Sequence, residues 1–105
     1  MQYTLKQIHA DLREIRTYYH SRDLFEKGKT VIFPKAVQDK VDRYKQIIGE
    51  APAKLYAIYI SLYVEGNTQQ AFCLQMGYSI DYAADLNKEL CLFLQRHLNK
   101  GGAKA

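Results

Sequence analysis

The chain has 105 residues, enough for one domain with one modest hydrophobic core. Hydrophobic residues make up 48% of it and charged residues 25%, as in ordinary globular proteins, and no apolar run approaches the roughly 20 residues that span a bilayer. Residues 1–16 lack the short apolar core of a signal peptide, so we expect a cytoplasmic protein.

The net charge is +4, and the basic excess lies mostly in the first half of the chain. Residues 1–50 contain ten Lys or Arg and seven Asp or Glu, whereas residues 51–105 contain five and four. This mildly basic balance permits contacts to nucleic-acid phosphates without requiring them.

The first predicted element is a long helix from about Thr4 to Lys27. Its apolar residues are spaced three, four, three and four apart, at Leu5, Ile8, Leu12, Ile15 and Tyr19. This is the spacing of a helix that packs along another helix. Two interpretations stay open: a helical hairpin within one chain, or the seam of a homodimer, which would suit a regulator that acts on paired sites.

A linker separates this helix from the second one. Its apolar residues, which we expect to fix it to the core, are Val31, Ile32 and Phe33. Pro34 then opens a helix predicted from about Lys35 to Ile48, with Gly49 as its end. The apolar stripe of this helix consists of Val37, Val41, Tyr44 and Ile48.

The third helix is predicted to begin at Ala51 and Pro52, but its continuation over residues 55–64 is ambiguous. The β-branched and aromatic content of this segment suits a strand. A helical stripe is equally present, at Leu55, Ile58, Tyr59, Leu62 and Tyr63. Local chemistry leaves both structures open.

The C-terminal part of the chain predicts two helices joined by a short turn. Thr68 is a good N-cap for a helix over Gln69–Met76, and Gly77 supplies the left-handed residue that ends it. Ser79 then caps a second helix. Its apolar residues fall at helical spacing, at Tyr82, Ala83, Leu86, Leu90, Phe93, Leu94 and Leu98. This is a helix-turn-helix arrangement, whose second helix would lie in a DNA groove.

The same residues carry a family resemblance. The pattern T-x-x-x-F-C-x-x-M-G-Y-S-x-x-Y-A-x-x-L-x-K, over residues 68–88, resembles the last two helices of region four of bacterial sigma factors. With the preceding segment, residues 52–98 are similar to small sigma-like regulators of phages and mobile elements in Gram-positive bacteria, the ArpU-like late-transcription regulators. The resemblance favours a helix over residues 55–64.

Together with the two helices predicted from spacing in residues 1–50, the resemblance implies an all-α, five-helix domain. An N-terminal helical hairpin over residues 1–50 would be followed by a sigma-like helix-turn-helix over residues 51–100, and residues 101–105 are expected to form a disordered tail. The implied protein is a phage or mobile-element transcriptional regulator that binds duplex DNA, without a cofactor, in the cytoplasm of a bacterial host.

In the sigma pattern, base-reading and phosphate-binding side chains occupy the outward positions of the second motif helix. Matched one by one, these positions are Ile80, Asp81, Tyr82, Ala84, Asp85 and Lys88. Only Lys88 among them is basic. Asp81 could accept a hydrogen bond from a cytosine amino group, whereas Asp85 would repel a phosphate.

Further DNA contacts are expected outside those positions, because a helix N-terminus offers backbone N–H groups to phosphates. The residues at or beside such a terminus are Thr68, Gln69, Gln70 and Ser79. Arg96 and Lys100 would contact phosphates through their positive charges. The basic N-terminal half of the chain would add contacts to phosphates.

The departure from the basic sigma pattern leaves a second hypothesis. The two helices would then form a non-catalytic protein-interaction module, whose outer face binds RNA polymerase or another regulator. A continuous positive surface across the two helices would favour DNA, and a negative second helix would favour a protein partner.

No arrangement in the sequence points to an enzyme or a metal site. His9, His20 and His97 have no partner at metal-binding spacing. Cys73 and Cys91 form no C-x-x-C motif and are predicted to be buried free thiols.

Nine tyrosines are many for this length, and core packing explains them better than base stacking. Tyr44, Tyr59 and Tyr82 are expected in the core with their hydroxyls at its rim. Tyr78 is expected to pack between the two motif helices.

Overall fold

The computed structural model describes the backbone of residues 2–26 and 33–104 and the side chains of residues 2–21 and 33–100. These residues form five α-helices and no strand, so the all-α prediction is confirmed for them. The elements are α1 (Leu5–Glu26), α2 (Lys35–Ile48), α3 (Ala53–Tyr59), a π-helical turn (Ile60–Val64), α4 (Gln69–Met76) and α5 (Ile80–Lys104). Among them, no helix is long and apolar enough to cross a membrane. The predicted contacts of Val31 and Ile32 lie outside the described residues.

Helix α5 is the centre of the fold. It packs against all four other α-helices. Its buried residues fall at helical spacing and form one side of the helix: Ala83, Leu86, Leu90, Cys91, Phe93, Leu94 and Leu98. Every other helix contributes to the same hydrophobic core, so residues 1–50 and 51–100 share one interior.

The three middle heptad positions of α1 are buried within this single chain. Ile8, Leu12 and Ile15 are at most 1% exposed, and α1 packs against α2, α5 and the π-helical turn. At the two ends of the stripe, Leu5 is 36% exposed and Tyr19 is half-buried. A homodimer would therefore have to use a different surface from the heptad stripe of α1.

A buried carboxylate joins α1 to α2. We call this carboxylate and its partners, Asp11, Glu14, Lys40 and Tyr44, the Asp11 cluster. Asp11 is 5% exposed, its Oδ2 accepts a 2.7 Å hydrogen bond from the Tyr44 hydroxyl, and its Oδ1 lies 3.0 Å from Lys40 Nζ. The same ammonium lies 2.8 Å from Glu14 Oε1, and this hydrogen bond is the main reason that the pKa of Lys40 is raised. Burying a carboxylate requires such partners.

The sequence prediction for Tyr44 needs one correction. Its ring lies in the core as expected, but its hydroxyl is buried rather than at the rim. Asp11 supplies the reason, because a buried hydroxyl needs a hydrogen-bond partner and this one donates to the carboxylate. Burial, followed by that hydrogen bond, raises the pKa of Tyr44.

The ambiguous segment over residues 55–64 is helical throughout, so the strand alternative is wrong. Leu55, Ile58, Tyr59 and Leu62 are buried as the helical stripe predicts. The last turn widens into a π-helix, in which the N–H of Glu65 donates to the carbonyl of Ile60 at 2.8 Å.

Residues before α1 are fixed to the far end of the chain. The N–H of Tyr3 donates to Asn99 Oδ1 at 2.6 Å, and its carbonyl accepts from Gln95 Nε2 at 3.0 Å. Arg43 of α2 donates to the Tyr3 hydroxyl at 2.8 Å. Tyr3 thus ties the start of α1 to both α5 and α2.

Tyr44 and Tyr59 provide a matched test of buried hydroxyl groups. The Tyr59 hydroxyl is also buried, so its expected position at the rim is wrong too. Unlike that of Tyr44, it has no hydrogen-bond partner among the described residues. We expect Tyr44→Phe to lower the free energy of unfolding by about 2 kcal/mol, and Tyr59→Phe to leave it unchanged or raise it by about 1 kcal/mol. Urea denaturation measures both values. Equal destabilisation by the two variants would contradict the assigned hydrogen bonds.

Cys73 and Cys91 are both free and buried, as predicted. Burial raises the pKa of the Cys91 thiol from 9.0 to about 11, so the fold favours the neutral form. The stability that comes from keeping this thiol neutral is fully present below its ordinary pKa. It is lost as the pH rises through the raised pKa of the folded protein. We expect the loss of unfolding free energy between about pH 8 and about pH 10.5 to be smaller in Cys91→Ala than in the wild type. Parallel pH profiles for the two proteins would exclude this role of the thiol.

Candidate nucleic-acid interface

Helices α4 and α5 are joined by only three residues, 77–79, and each boundary is fixed locally. Thr68 Oγ1 accepts from the N–H of Ala71 at 3.0 Å, and Ser79 Oγ accepts from the N–H of Tyr82 at 3.1 Å. Gly77 adopts φ 72°, the left-handed conformation that ends α4. The predicted N-caps and the predicted left-handed glycine are confirmed. We call residues 68–88 the α4–α5 unit.

Aromatic contacts hold the unit together. The ring of Tyr78 lies 5.8 Å from Phe72 of α4 and 4.7 Å from Tyr82 of α5, edge-on in both cases. Phe72 and Cys73 are buried, and Cys73 Sγ lies 3.5 Å from the carbonyl of Ser79. The predicted position of Tyr78 between the two helices is confirmed.

The expectation that Tyr82 lies in the core is wrong, since its side chain is 36% exposed. Ala83 is fully buried, and the preceding residue projects about 100° away around the helix, towards the edge of the packed surface. There Lys54 of α3 lies 5.8 Å from the centre of the Tyr82 ring. A hydrogen bond with Tyr82 is the main cause of the raised pKa of Lys54.

The structure exposes almost all of the candidate DNA-binding residues but does not group them all. Those on the surface are Thr68, Gln70, Ser79, Ile80, Asp81, Tyr82, Ala84, Asp85, Lys88 and Arg96, with Gln69 half-buried. The side-chain oxygens of Thr68 and Ser79 are used as N-caps. Arg96 lies sixteen residues beyond Ile80, about 24 Å along the helix, and so stands apart from the others.

The exposed side of the first turns of α5 is acidic. Asp81, Asp85 and Glu89 are exposed there, with Lys88 as the basic side chain among them and Lys54 of α3 at the edge. Such a surface repels phosphates and attracts amino groups or a basic protein segment.

Exposed apolar side chains occur in the same unit. Leu74 is 82% exposed, Ile80 52% and Met76 46%. If these side chains form one continuous patch, they could bind another macromolecule.

A contact that sequence analysis missed brings α1 to the start of α4. Arg16 Nη2 donates to the carbonyl of Gly66 at 2.9 Å, two residues before the Thr68 cap. The same residues border a groove of about 400 Å³, lined by Arg16, Thr17, His20, Val64, Glu65 and Gly66. No local pattern indicates this pairing, because fifty residues separate its two members.

Comparison with known proteins finds no match among protein-family models, curated proteins or solved structures. Among the described residues, no group of three or more His, Cys, Asp or Glu side chains is placed to hold a metal ion.

Substituting Gly77 and Gly49 by alanine tests whether the turn between α4 and α5 requires the left-handed backbone conformation of Gly77. An added Cβ would meet nothing within 4 Å at Gly77, so any cost of Gly77→Ala comes from φ 72°. We expect that cost to be about 1–2 kcal/mol of unfolding free energy. Gly49 has φ −62°, so we expect Gly49→Ala to be neutral or stabilising by about 0.4–1 kcal/mol. Thermal denaturation of both variants checks the contrast, and a tolerated Gly77→Ala would disprove the left-handed turn.

Proposed function

We propose that this chain is a non-catalytic transcription regulator of the phage or mobile-element kind, which binds duplex DNA through α4 and α5 as a sigma-like helix-turn-helix. The observation that carries this proposal is the α4–α5 unit itself, in which two capped helices meet across three residues and leave the first turns of α5 exposed. Exposed N-terminal turns of a second helix are the part that reads base edges in helix-turn-helix proteins.

Each part of the unit then has a distinct role. The exposed positions of α5 from Ile80 to Asp85 would face base edges, where Asp81 can accept from a cytosine amino group. The start of α4 at Gln69 and Gln70 would approach a phosphate. Lys88 and Lys54, on either side of the acidic positions, would contact the neighbouring phosphates.

The second candidate function is a protein-interaction module that binds RNA polymerase or another regulator. It is favoured by the acidic surface at Asp81 and Asp85 together with the exposed side chains of Leu74 and Ile80. Apolar anchors surrounded by charge are a common composition for a protein interface. The partner would carry a basic surface.

Titrating a random-sequence duplex at several salt concentrations tests the DNA proposal. The logarithm of the binding constant should fall linearly with the logarithm of salt concentration, and Lys88→Gln should reduce this slope by about 0.9, one phosphate contact. Lys45→Gln removes the same charge from α2 and is the matched control, which should keep the wild-type slope. Absence of wild-type binding at about 50 mM salt would refute the proposal.

The variant Asp81→Asn/Asp85→Asn separates the two functions. If α5 approaches DNA, removing the two carboxylates weakens repulsion and tightens non-specific duplex binding. If the surface binds a basic protein, the same variant loses that partner and leaves duplex binding unchanged.

A further inference from the structure

The exposed side of α1 carries a continuous basic stripe. We give this name to Lys6, His9, Arg13, Arg16 and His20, which are all exposed. Their spacing of three, four, three and four places them within an arc of about 80° on one side of the helix. From first to last the stripe is about 21 Å long.

The acidic residues of α1 within the described side chains do not neutralise this stripe. Asp11 and Glu14 both point to Lys40 of α2, at 3.0 and 2.8 Å. Glu65 borders the groove at the far end of the stripe and places one exposed carboxylate beside Arg16 and His20. Within the part of the chain whose side chains are described, Lys6, Arg13 and Arg16 form no ion pair, so they remain a row of positive charges.

The stripe leads to the α4–α5 unit. Arg16 donates to the carbonyl of Gly66, and His20 lines the same groove. One end of the row thus lies beside the loop that starts α4, where Gln69 and Gln70 are expected to approach a phosphate.

We propose that the basic stripe of α1 binds the phosphate backbone of duplex DNA alongside the α4–α5 unit and supplies the electrostatic affinity that the acidic α5 lacks. This inference rests on the proposed DNA-binding function. The row of cations from Lys6 to Arg16 is about 15 Å long, so it can contact several phosphates along a duplex, and it needs no base contacts.

The structure favours duplex DNA over an anionic membrane as the ligand. A helix that lies on a membrane needs an exposed apolar side to insert between lipids. In α1 the apolar side is already used, since Ile8, Leu12 and Ile15 are at most 1% exposed in the core.

Salt-dependent duplex binding of Lys6→Gln/Arg13→Gln tests this inference. The two positions leave the Arg16–Gly66 hydrogen bond and the Asp11 cluster intact. We expect the slope of log binding constant against log salt to decrease by about 1.8, two phosphate contacts. The control Lys35→Gln/Lys45→Gln has the same net charge and removes two exposed cations of α2, so its slope should stay near the wild-type value. Lys45 projects about 140° around α2 from Lys40, which faces α1.

The outcomes distinguish this inference from the function on which it rests. If the wild type binds DNA and the stripe variant keeps its slope, the stripe is not the phosphate surface and the α4–α5 unit binds without it. If the wild type binds no duplex at about 50 mM salt, both proposals fail. Binding to vesicles of anionic lipid that depends on Lys6 and Arg13, without duplex binding, would identify a membrane surface instead. Unfolding curves of all variants must match the wild type for these comparisons to hold.

Discussion

The fold depends on burying one side of α5 against all the other helices. Leu90 and Leu94 are fully buried at its middle, and the packed side continues from Ala83 to Leu98. As a result, one side of α5 lies in the core along its whole length, and the opposite side stays exposed. Any ligand of α5 must therefore use its exposed side or its first turns, and the core keeps those turns in a fixed orientation through Ala83 and Leu86.

Charge is distributed unevenly over this frame. The first turns of α5 expose Asp81, Asp85 and Glu89, whereas the outer side of α1 exposes Lys6, Arg13 and Arg16. If the chain binds DNA, the two surfaces have different roles. The cations of α1 bind phosphates and supply affinity, whereas the N-terminus of α5 makes the contacts that depend on base sequence. In that arrangement an acidic α5 lowers affinity for random DNA while keeping hydrogen-bond acceptors for base edges.

The Asp11 cluster connects stability with this charge distribution. Its carboxylate is held by Tyr44 and Lys40, which stabilises the packing of α1 on α2. The same ammonium binds Glu14, so that the two acidic side chains of this part of α1 are turned towards α2. The outer side of α1 is left to Lys and Arg. The acidic side chains that contact Lys40 thus lie on the side of α1 that faces α2, and the basic stripe lies on its outer side.

Local patterns in the sequence determined where α4 begins and ends and where α5 begins. Caps and glycine conformations act within about four residues, so Thr68, Gly77 and Ser79 could be interpreted without knowledge of the rest of the chain. Helical spacing also identified most of the core, with Ile8, Leu90 and Leu94 among the buried residues. For residues 55–64 the local signals were balanced, and burial of the helical stripe decided the structure.

Tertiary structure alone decided which surfaces meet and which polar groups are buried. Arg16 reaches Gly66 fifty residues away, and Tyr3 pairs with Asn99 across ninety-six. Asp11 lies at the edge of the apolar stripe of α1, three residues after Ile8, and only the packing of α2 identifies Tyr44 and Lys40 as its partners. The physical reason is that periodicity fixes the direction of a side chain around its own helix, whereas a partner on another helix depends on how the two helices are placed against each other.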